Sequence, residues 1–280
     1  MNTRTKLAIA RVLSLITRGV RTMSGKKNTD VACRRSGLWW SLDLAEGIDL
    51  SIFLFGAFEH RTARAIRTRL SSGAFVLDLG ANIGAHTLAM AGQVGPAGRV
   101  IAVEPTDWAF QKLTRNLSLN PGLAVSVVPL QVFLTDTLRE SPGFLHSSWN
   151  LDDSSGHPVH GGKLQGLKQA RVMTVDEMMA EIGPPRLDLI KLDVDGFEAR
   201  ILRGASETMK RFRPPVILEL TPYALEEQGD SLEGLLELFS GLGYRLFSEN
   251  GRKSLPMRAE QLRAILPPGG GINALALFSL

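Results

Sequence analysis

A short glycine-containing segment carries the residues whose spacing most directly indicates binding chemistry. Residues 76–86 read VLDLGANIGAH and place Asp78, Gly80, Asn82 and Gly84 in the pattern Asp-x-Gly-x-x-x-Gly. Glycines at the end of a strand allow a sharp turn and a close approach of ligand to backbone. A dinucleotide fingerprint requires Gly-x-Gly-x-x-Gly, and Asn82 stands where its second glycine would be. The segment therefore favours S-adenosylmethionine, whose amino and carboxylate groups would be held by the loop backbone and Asp78.

A carboxylate further along the chain strengthens this interpretation. Glu104 ends the apolar segment RVIAVE (99–104), 24 residues after Gly80. At that place a carboxylate can accept hydrogen bonds from both hydroxyls of a ribose. A turn glycine or a single acidic residue is common in any fold, but the loop, the strand and the acid together predict a nucleoside site.

Asp193 is the predicted catalytic residue. It ends the segment LDLIKLD (187–193), and Asp195 and Glu198 follow within one turn. Methyl transfer from a sulfonium needs an aligned acceptor, and a hydroxyl acceptor must also lose its proton. Asp193 would position the acceptor or assist this proton removal, whereas helix capping is the alternative role of Asp195 and Glu198.

The histidines and the single cysteine give weaker signals. The pair His157 and His160 has no accompanying cluster of thiols or spaced ligands, so we predict no metal site. A histidine of the segment around residues 131–170 is an alternative proton acceptor, because a lid can deliver an imidazole. Cys33 is the one cysteine and cannot form an internal disulfide, which favours a reducing, cytoplasmic compartment.

Alternating strands and helices must position these residues. Seven apolar segments predict strands at 75–79, 99–104, 124–130, 187–193, 215–220, 244–248 and 273–280, with helices between most of them. Strands as continuously apolar as FVLDL and PVILEL are buried on both faces, which requires a parallel sheet covered by helices. The predicted fold class is α/β, with a doubly wound, mostly parallel seven-stranded sheet and helices on both faces.

The remaining segments suggest a division of the chain. Residues 1–36 form a basic N-terminal tail or helix, and residues 37–280 form the main domain. Within that domain, residues 37–72 predict a strand pair, with its turn at Glu46-Gly47, followed by a helix. Residues 131–170 are rich in Gly, Ser, Pro, His and Asp and are too long for a simple connection, so they predict an insert or lid.

The net charge of +4 originates in the N-terminal tail. Seven basic residues precede Asp30, the first acidic residue, so we expect no nucleic-acid partner. Leu7, Val12, Leu13 and Ile16 allow an amphipathic helix on an anionic membrane surface. The alternative, which we favour, is a helix packed on its own domain or a frayed terminus. The apolar stretch is too short and too charged to span a membrane.

Several of these segments together resemble a known family. DLGANIGAHTLAMA, RVIAVEPTDWAFQKLTRNLSLN, LDLIKLDVDGFEARILRGA and PVILEL occur in the order and spacing of the FkbM-type methyltransferases, over about residues 37 to 250. The resemblance implies the class I methyltransferase (Rossmann-like) fold and S-adenosyl-L-methionine as cofactor. It implies cofactor contacts and an acidic group near the reacting atoms at Asp78, Gly80, Asn82, Gly84, Glu104 and Asp193. Asp195 stands where many members carry Glu, which implies that the shorter acid shifts a contact.

The expected function is therefore methyl transfer. The resemblance implies O-methylation of a hydroxyl on a sugar, a polyketide or another small-molecule or glycan acceptor. Three alternatives stay open: N-methylation on the same fold, a nicotinamide-dependent oxidoreductase, and a catalytically silent adenosine-binding scaffold. The missing Gly-x-Gly pattern argues against the oxidoreductase.

Overall fold

The computed structural model of the protein describes residues 3–25, 28–137, 143–147, 150–151, 163–267 and 269–279. The helices in these ranges are α1 (Thr3–Met23), α2 (Gly47–Phe55), α3 (His60–Arg67), α4 (Thr87–Val94), α5 (Asp107–Ser118), α6 (Pro121–Ala124), α7 (Val175–Ile182), α8 (Glu198–Arg203), α9 (Ser206–Phe212), α10 (Pro222–Glu227), α11 (Leu232–Gly241) and α12 (Ala259–Arg263). The strands are β1 (Asp30–Arg35), β2 (Leu38–Asp43), β3 (Phe75–Leu79), β4 (Arg99–Val103), β5 (Val127–Leu130), β6 (Val132–Leu134), β7 (Phe144–Ser147), β8 (Lys163–Gly166), β9 (Arg171–Met173), β10 (Leu189–Leu192), β11 (Val216–Leu220), β12 (Tyr244–Ser248) and β13 (Ile272–Phe278). No helix in the described part of the chain is long and apolar enough to cross a membrane.

The central sheet has the predicted composition. Its seven strands follow the order β5-β4-β3-β10-β11-β13-β12. Strand β13 runs antiparallel to both of its neighbours, and the other adjacent pairs are parallel. The structure therefore confirms the mostly parallel sheet, with each of the seven predicted segments supplying one strand.

Helices cover the sheet on both faces, because its central strands carry apolar residues on both sides. In β3, Leu77 and Leu79 pack into one core with residues of α7 to α11. Val76, the residue before Leu77, packs into a second core with residues of α3, α4 and α5. Successive side chains of a strand point to opposite faces, so a continuously apolar strand supports two helical layers. This is the doubly wound arrangement that the sequence predicts.

The predicted strand pair around Glu46-Gly47 is wrong in its second half. The strands that pair are β1 and β2, joined at Ser36-Gly37, so the hairpin begins inside residues 1–36. Residues 47–55 form helix α2 instead, which ends where Gly56 adopts a left-handed conformation and donates to the Ile52 carbonyl at 2.8 Å. A short, almost wholly apolar run fits a buried helix as well as a buried strand, so periodicity cannot distinguish them.

Two asparagines, Asn116 of α5 and Asn120 just before α6, attach this hairpin to the main domain. The Asn116 side chain accepts a hydrogen bond from the Ser41 amide at 2.8 Å. The Asn120 side chain accepts from the Trp39 amide at 3.0 Å and donates to its carbonyl at 2.7 Å. Asn116 also donates to the carbonyl of Ile83, in the glycine segment, at 2.9 Å. Both side chains therefore satisfy backbone groups at the edge of the hairpin, and Asn116 also supports the predicted cofactor loop.

The insert predicted at residues 131–170 is described in part. Strand β6 pairs in parallel with β9, and β7 pairs with β8 in an antiparallel hairpin. His157, His160 and Trp149 lie outside the described residues. The described parts therefore contain regular strands, and the role of the segment as a lid stays a prediction.

Candidate active site

A cavity lies at the carboxyl ends of β3, β4, β10 and β11. Four of the six predicted site residues line it, namely Gly80, Asn82, Glu104 and Asp193. The carboxyl ends of parallel strands meet at one edge of a sheet, which brings residues from distant parts of the sequence together. Side chains from α2 and from β6 and β7 close the cavity, among them Ile48, Phe133 and Leu145.

The glycine segment turns sharply at the floor of this cavity. Gly80 has a φ of 80°, and a Cβ atom there would lie 1.8 Å from the Asp193 carbonyl oxygen. This position therefore excludes every residue with a side chain. Asn82 is left-handed at a φ of 50°, and its side chain accepts from the Ile83 amide at 2.9 Å. Asn tolerates this conformation because of such local hydrogen bonds, which explains how it replaces the second glycine.

Two predicted cofactor residues do not line the cavity. Gly84 faces α5, where a Cβ atom would lie 2.9 Å from Leu113 Cδ1. Asp78 is fully buried, and one of its carboxylate oxygens accepts from the Thr87 hydroxyl at 2.6 Å. Both residues support the loop from the side that faces away from the cavity. Asp78 would therefore affect a ligand only through the residues that it contacts.

Glu104 is held in a fixed orientation at one end of the cavity. Its Oε2 atom accepts from the Asn82 amide at 3.0 Å, and its Oε1 atom accepts from the amide and hydroxyl of Thr106. Burial raises the pKa of its carboxyl group, while these bonds favour the charged form. A carboxylate has about four acceptor positions. Three are filled, so Oε2 retains one that can accept from a ligand hydroxyl.

Lys191 is a site residue that the sequence analysis missed. Its Nζ atom donates to the Gly80 carbonyl at 2.9 Å and lies 3.2 Å from Asp193 Oδ2 and 3.8 Å from Asp78 Oδ1. Burial alone would lower the pKa of this ammonium, but the carboxylates of Asp193 and Asp78 raise it. The available signal was a lysine inside the otherwise apolar strand LIKL, since a buried charge requires a partner.

Of the two acidic residues that follow Asp193, Asp195 lines the cavity and Glu198 has a structural role. Asp195 is exposed to the cavity in a left-handed conformation, and desolvation there, with the charges of Asp193 and Glu198, raises its pKa to about 8. Glu198 is buried and accepts from the amides of Val194 and Gly196 at 3.2 and 3.4 Å. Glu198 therefore braces the loop that carries Asp193, in agreement with its alternative role as a capping residue.

Buried carboxyl groups lead to a pH prediction for folding. Burial raises the pKa of Glu198 and Glu46 from 4.5 to about 7, so the folded chain binds protons that the unfolded chain has released. This stabilisation is complete below pH 4.5 and is lost as the pH rises through 7. The buried His86 acts in the opposite direction only below its ordinary pKa of 6.5. We expect the melting temperature of the unliganded protein to fall from pH 6.5 to about pH 8.5.

The Glu198→Gln variant is the matched control for this measurement. Its amide oxygen can still accept the two loop hydrogen bonds, but it does not titrate. The fall in melting temperature should therefore become shallower. A melting temperature that rises over this range in the original protein would show that the buried carboxyl groups do not control its stability.

Three polar side chains line the cavity near Lys191 and Asp193. The Nε2 atom of His86 lies 3.9 Å from Glu59 Oε2, which is too long for a hydrogen bond. Both ring nitrogens of this buried histidine have no hydrogen-bond partner among the described residues, and burial lowers its pKa to about 3. Burial likewise raises the pKa of Glu59 and Glu219. A neutral imidazole with free nitrogens in a cavity wall is suited to receive a ligand's polar group.

The charge of the cavity wall is unbalanced. Among its described lining residues are six carboxyl side chains and one ammonium, that of Lys191. Four of the carboxyl groups lie with Lys191 and His86, at Glu59, Asp193, Asp195 and Glu219, while Glu104 stands with Asn82 and Thr106. Burial raises the pKa values of Glu59, Asp195 and Glu219, and a nearby positive charge would favour their ionised forms, so the wall is suited to a cationic ligand.

The fold and the site together define a class of protein. The strand order of the central sheet, its one reversed strand β13 among those described, and a ligand cavity above the glycine segment are those of a class I methyltransferase fold. The chain belongs to the FkbM methyltransferase family, whose domain model, "Methyltransferase FkbM domain", matches residues 78–246.

The chain is similar to several individual methyltransferases. Methyltransferase sdnD of Sordaria araneosa is 29% identical over 197 residues, which cover 60% of this chain and 73% of that protein. Hexuronic acid methyltransferase AglP of Haloferax volcanii is 26% identical over 133 residues, which cover 48% of this chain and half of that protein. Among solved structures, methyltransferase FkbM from Methylobacillus flagellatus is 16% identical with a TM-score of 0.42, and the match covers 74% of this chain and 44% of that chain. A SAM-dependent O-methyltransferase from Thermotoga maritima is 12% identical with a TM-score of 0.44, and the match covers 83% of this chain and 71% of that chain.

Proposed function

We propose that the protein transfers a methyl group from S-adenosylmethionine to a hydroxyl of a small-molecule or glycan acceptor. The observation that carries this proposal is the cavity wall, in which six carboxyl side chains and one ammonium stand above the glycine segment. S-Adenosylmethionine is a net cation, because its sulfonium and ammonium outweigh its carboxylate. A nicotinamide dinucleotide carries an anionic pyrophosphate, which this wall would repel. The charge therefore supports S-adenosylmethionine and disfavours the oxidoreductase alternative.

The residues at the two ends of the cavity have separate tasks in this proposal. Glu104, fixed by Asn82 and Thr106, accepts from a ribose hydroxyl, and the backbone at Gly80 and Asn82 approaches the cofactor closely. The cofactor supplies an activated methyl group when bound. Asp193 then accepts a hydrogen bond from the acceptor hydroxyl and takes its proton as the new bond forms. The Lys191 ammonium holds the Asp193 carboxylate in place through their ion pair.

The same wall limits the acceptor. The carboxyl groups of Glu59, Asp193 and Glu219 favour a neutral polyol, because an anionic acceptor would disfavour the ionised form of Asp193 and of its acidic neighbours. An amine acceptor, and so N-methylation, is the second candidate, because a protonated amine would also be attracted to these carboxylates. A cytoplasmic location fits the single cysteine of the chain.

A methyl-transfer screen tests the proposed reaction. S-Adenosylmethionine carrying a labelled methyl group is incubated with neutral sugars, lipid-linked sugars, polyketide alcohols, their amine analogues and uronic acids. Label should pass to hydroxyl acceptors and not to uronic acids. Transfer to amines alone would support N-methylation, and cofactor binding without any transfer would support the silent scaffold.

Glu104 gives a prediction for cofactor affinity. The Glu104→Ala variant should bind S-adenosylmethionine more weakly by roughly 1 to 3 kcal/mol, because the ribose hydroxyls lose a charged acceptor. Calorimetric titration measures the change. The control is Glu207→Ala, which removes an exposed carboxylate paired with Lys210 and should bind as the original protein does. Equal affinities in two folded variants would exclude Glu104 from the cofactor site.

A further inference from the structure

The contacts of helix α1 with the described part of the domain lie on one of its sides. Ala10 and Leu13 pack on the small core of Leu44, Leu50 and Leu151. The Ser14 hydroxyl donates to the Leu44 carbonyl at 3.1 Å, and this serine is buried. The domain therefore holds the side of α1 that carries small and polar residues.

A second side of α1, next to the side that faces the domain, is an exposed apolar stripe. Residues three or four positions apart share one face of a helix, and the stripe consists of Ile9, Val12, Ile16, Val20 and Met23. Their exposed fractions are 46%, 55%, 58%, 61% and 91%. Single exposed apolar residues are ordinary, but a continuous stripe along a helix marks an interaction surface. The sequence-based preference for a helix packed through Val12 and Ile16 is thus wrong for these two residues, although Leu13 does face the domain.

The charges around this stripe have one sign. Residues 1–29 contain seven basic residues and no acidic one, whereas all 28 acidic residues follow. Arg11 is exposed on the helix, and Arg21 reaches the Asn28 carbonyl at 3.2 Å. A basic helix with an apolar face has the two features that binding in the plane of an anionic bilayer requires. A second copy of the chain would bring the same positive charge to the stripe, so self-association is disfavoured.

We propose that the apolar stripe of α1 docks on an anionic lipid bilayer. The helix lies parallel to the surface, with the stripe in the acyl region and the arginines among the lipid phosphates. The domain remains attached on the other side through Leu13 and Ser14. This surface operates independently of the methyl-transfer reaction, so neither proposal depends on the other.

Vesicle co-sedimentation of the full chain tests the proposal. The protein should sediment with vesicles of phosphatidylcholine and phosphatidylglycerol, less at high salt, and little with pure phosphatidylcholine. In the double variant Ile16→Ser/Val20→Ser, the partition coefficient onto these vesicles should fall at least about tenfold, since the change removes apolar surface without changing charge. Its matched control, Thr22→Ala/Ser24→Ala, alters exposed polar residues at the end of the same helix and should partition within about twofold of the original protein.

The charge is tested separately with Arg11→Gln, which should lower partitioning on the anionic vesicles about fivefold. Melting temperatures and size-exclusion profiles of all variants are recorded alongside. The absence of sedimentation with anionic vesicles, or equal sedimentation with both vesicle types at all salt concentrations, would overturn the proposal. A dimer of the original protein that is lost in the Ile16→Ser/Val20→Ser variant would also overturn the proposal, because a second copy would then cover the stripe.

Discussion

The Asp193→Asn variant should lose turnover by roughly 100-fold or more while it retains its affinity for S-adenosylmethionine. Asp193 lines the cavity with a side chain that is 31% exposed, and Lys191 holds its Oδ2 atom at 3.2 Å. An amide at this position can still contact the acceptor, but it cannot take the hydroxyl proton. Lys191 keeps its contacts with Asp78 and Gly80, so the fold should be maintained.

Steady-state kinetics and calorimetry on the same preparations measure the two quantities separately. Asp30→Asn makes the same chemical change at an exposed position of the β1–β2 hairpin and serves as the control. Turnover equal to that of the control would remove Asp193 from the mechanism. Loss of the cooperative melt would instead assign Asp193 a structural role.

The Lys191→Met variant should be destabilised by about 3 to 5 kcal/mol, the usual cost of leaving a buried charge without its partner. Asp78 is fully buried, and the Lys191 ammonium 3.8 Å away is its nearest described positive charge. Methionine fills similar space without charge, so the loss reports the ion pair and not a cavity. Urea unfolding of the unliganded protein measures this loss as a lower free energy of unfolding.

A double-mutant cycle separates the ion pair from other effects of this change. Asp78→Asn neutralises the carboxylate, and its amide oxygen can still accept from the Thr87 hydroxyl. The double variant Lys191→Met/Asp78→Asn should therefore recover part of the stability lost by Lys191→Met. Additive losses would show that Asp78 and Lys191 do not interact, which would contradict the charge arrangement described for the site.

Sequence patterns predicted the sheet well because its strands are unambiguous. Continuously apolar runs such as FVLDL and PVILEL alternate with helices, and parallel pairing then fixes which ends meet. Glu104 and Asp193 line the same cavity for that reason. Residues 47–55 show where this reasoning fails, because their run is equally apolar but becomes helix α2. Its ends are set by Glu46 and Gly56, which an apolar pattern does not reveal.

Side-chain roles within the site were harder to predict than positions. Asp78 and Lys191 stand opposite each other in neighbouring strands β3 and β10, so their contact depends on strand register. Glu59 and Asn273 are 214 positions apart and form a 3.1 Å hydrogen bond that only the folded chain creates. The glycine pattern likewise could not show that the nearby Asp193 carbonyl oxygen leaves space only for glycine at position 80. Long-range contacts of this kind become visible only in the structure.

Calorimetric titration of the full chain with S-adenosylmethionine and, separately, with a nicotinamide dinucleotide tests the nature of the cavity most directly. The unbalanced wall of six carboxyl side chains and one ammonium predicts saturable binding of S-adenosylmethionine at one site per chain. It predicts no measurable heat of binding with the dinucleotide. Saturable binding of the dinucleotide, with none of S-adenosylmethionine, would contradict the proposed cofactor and the methyl transfer that depends on it.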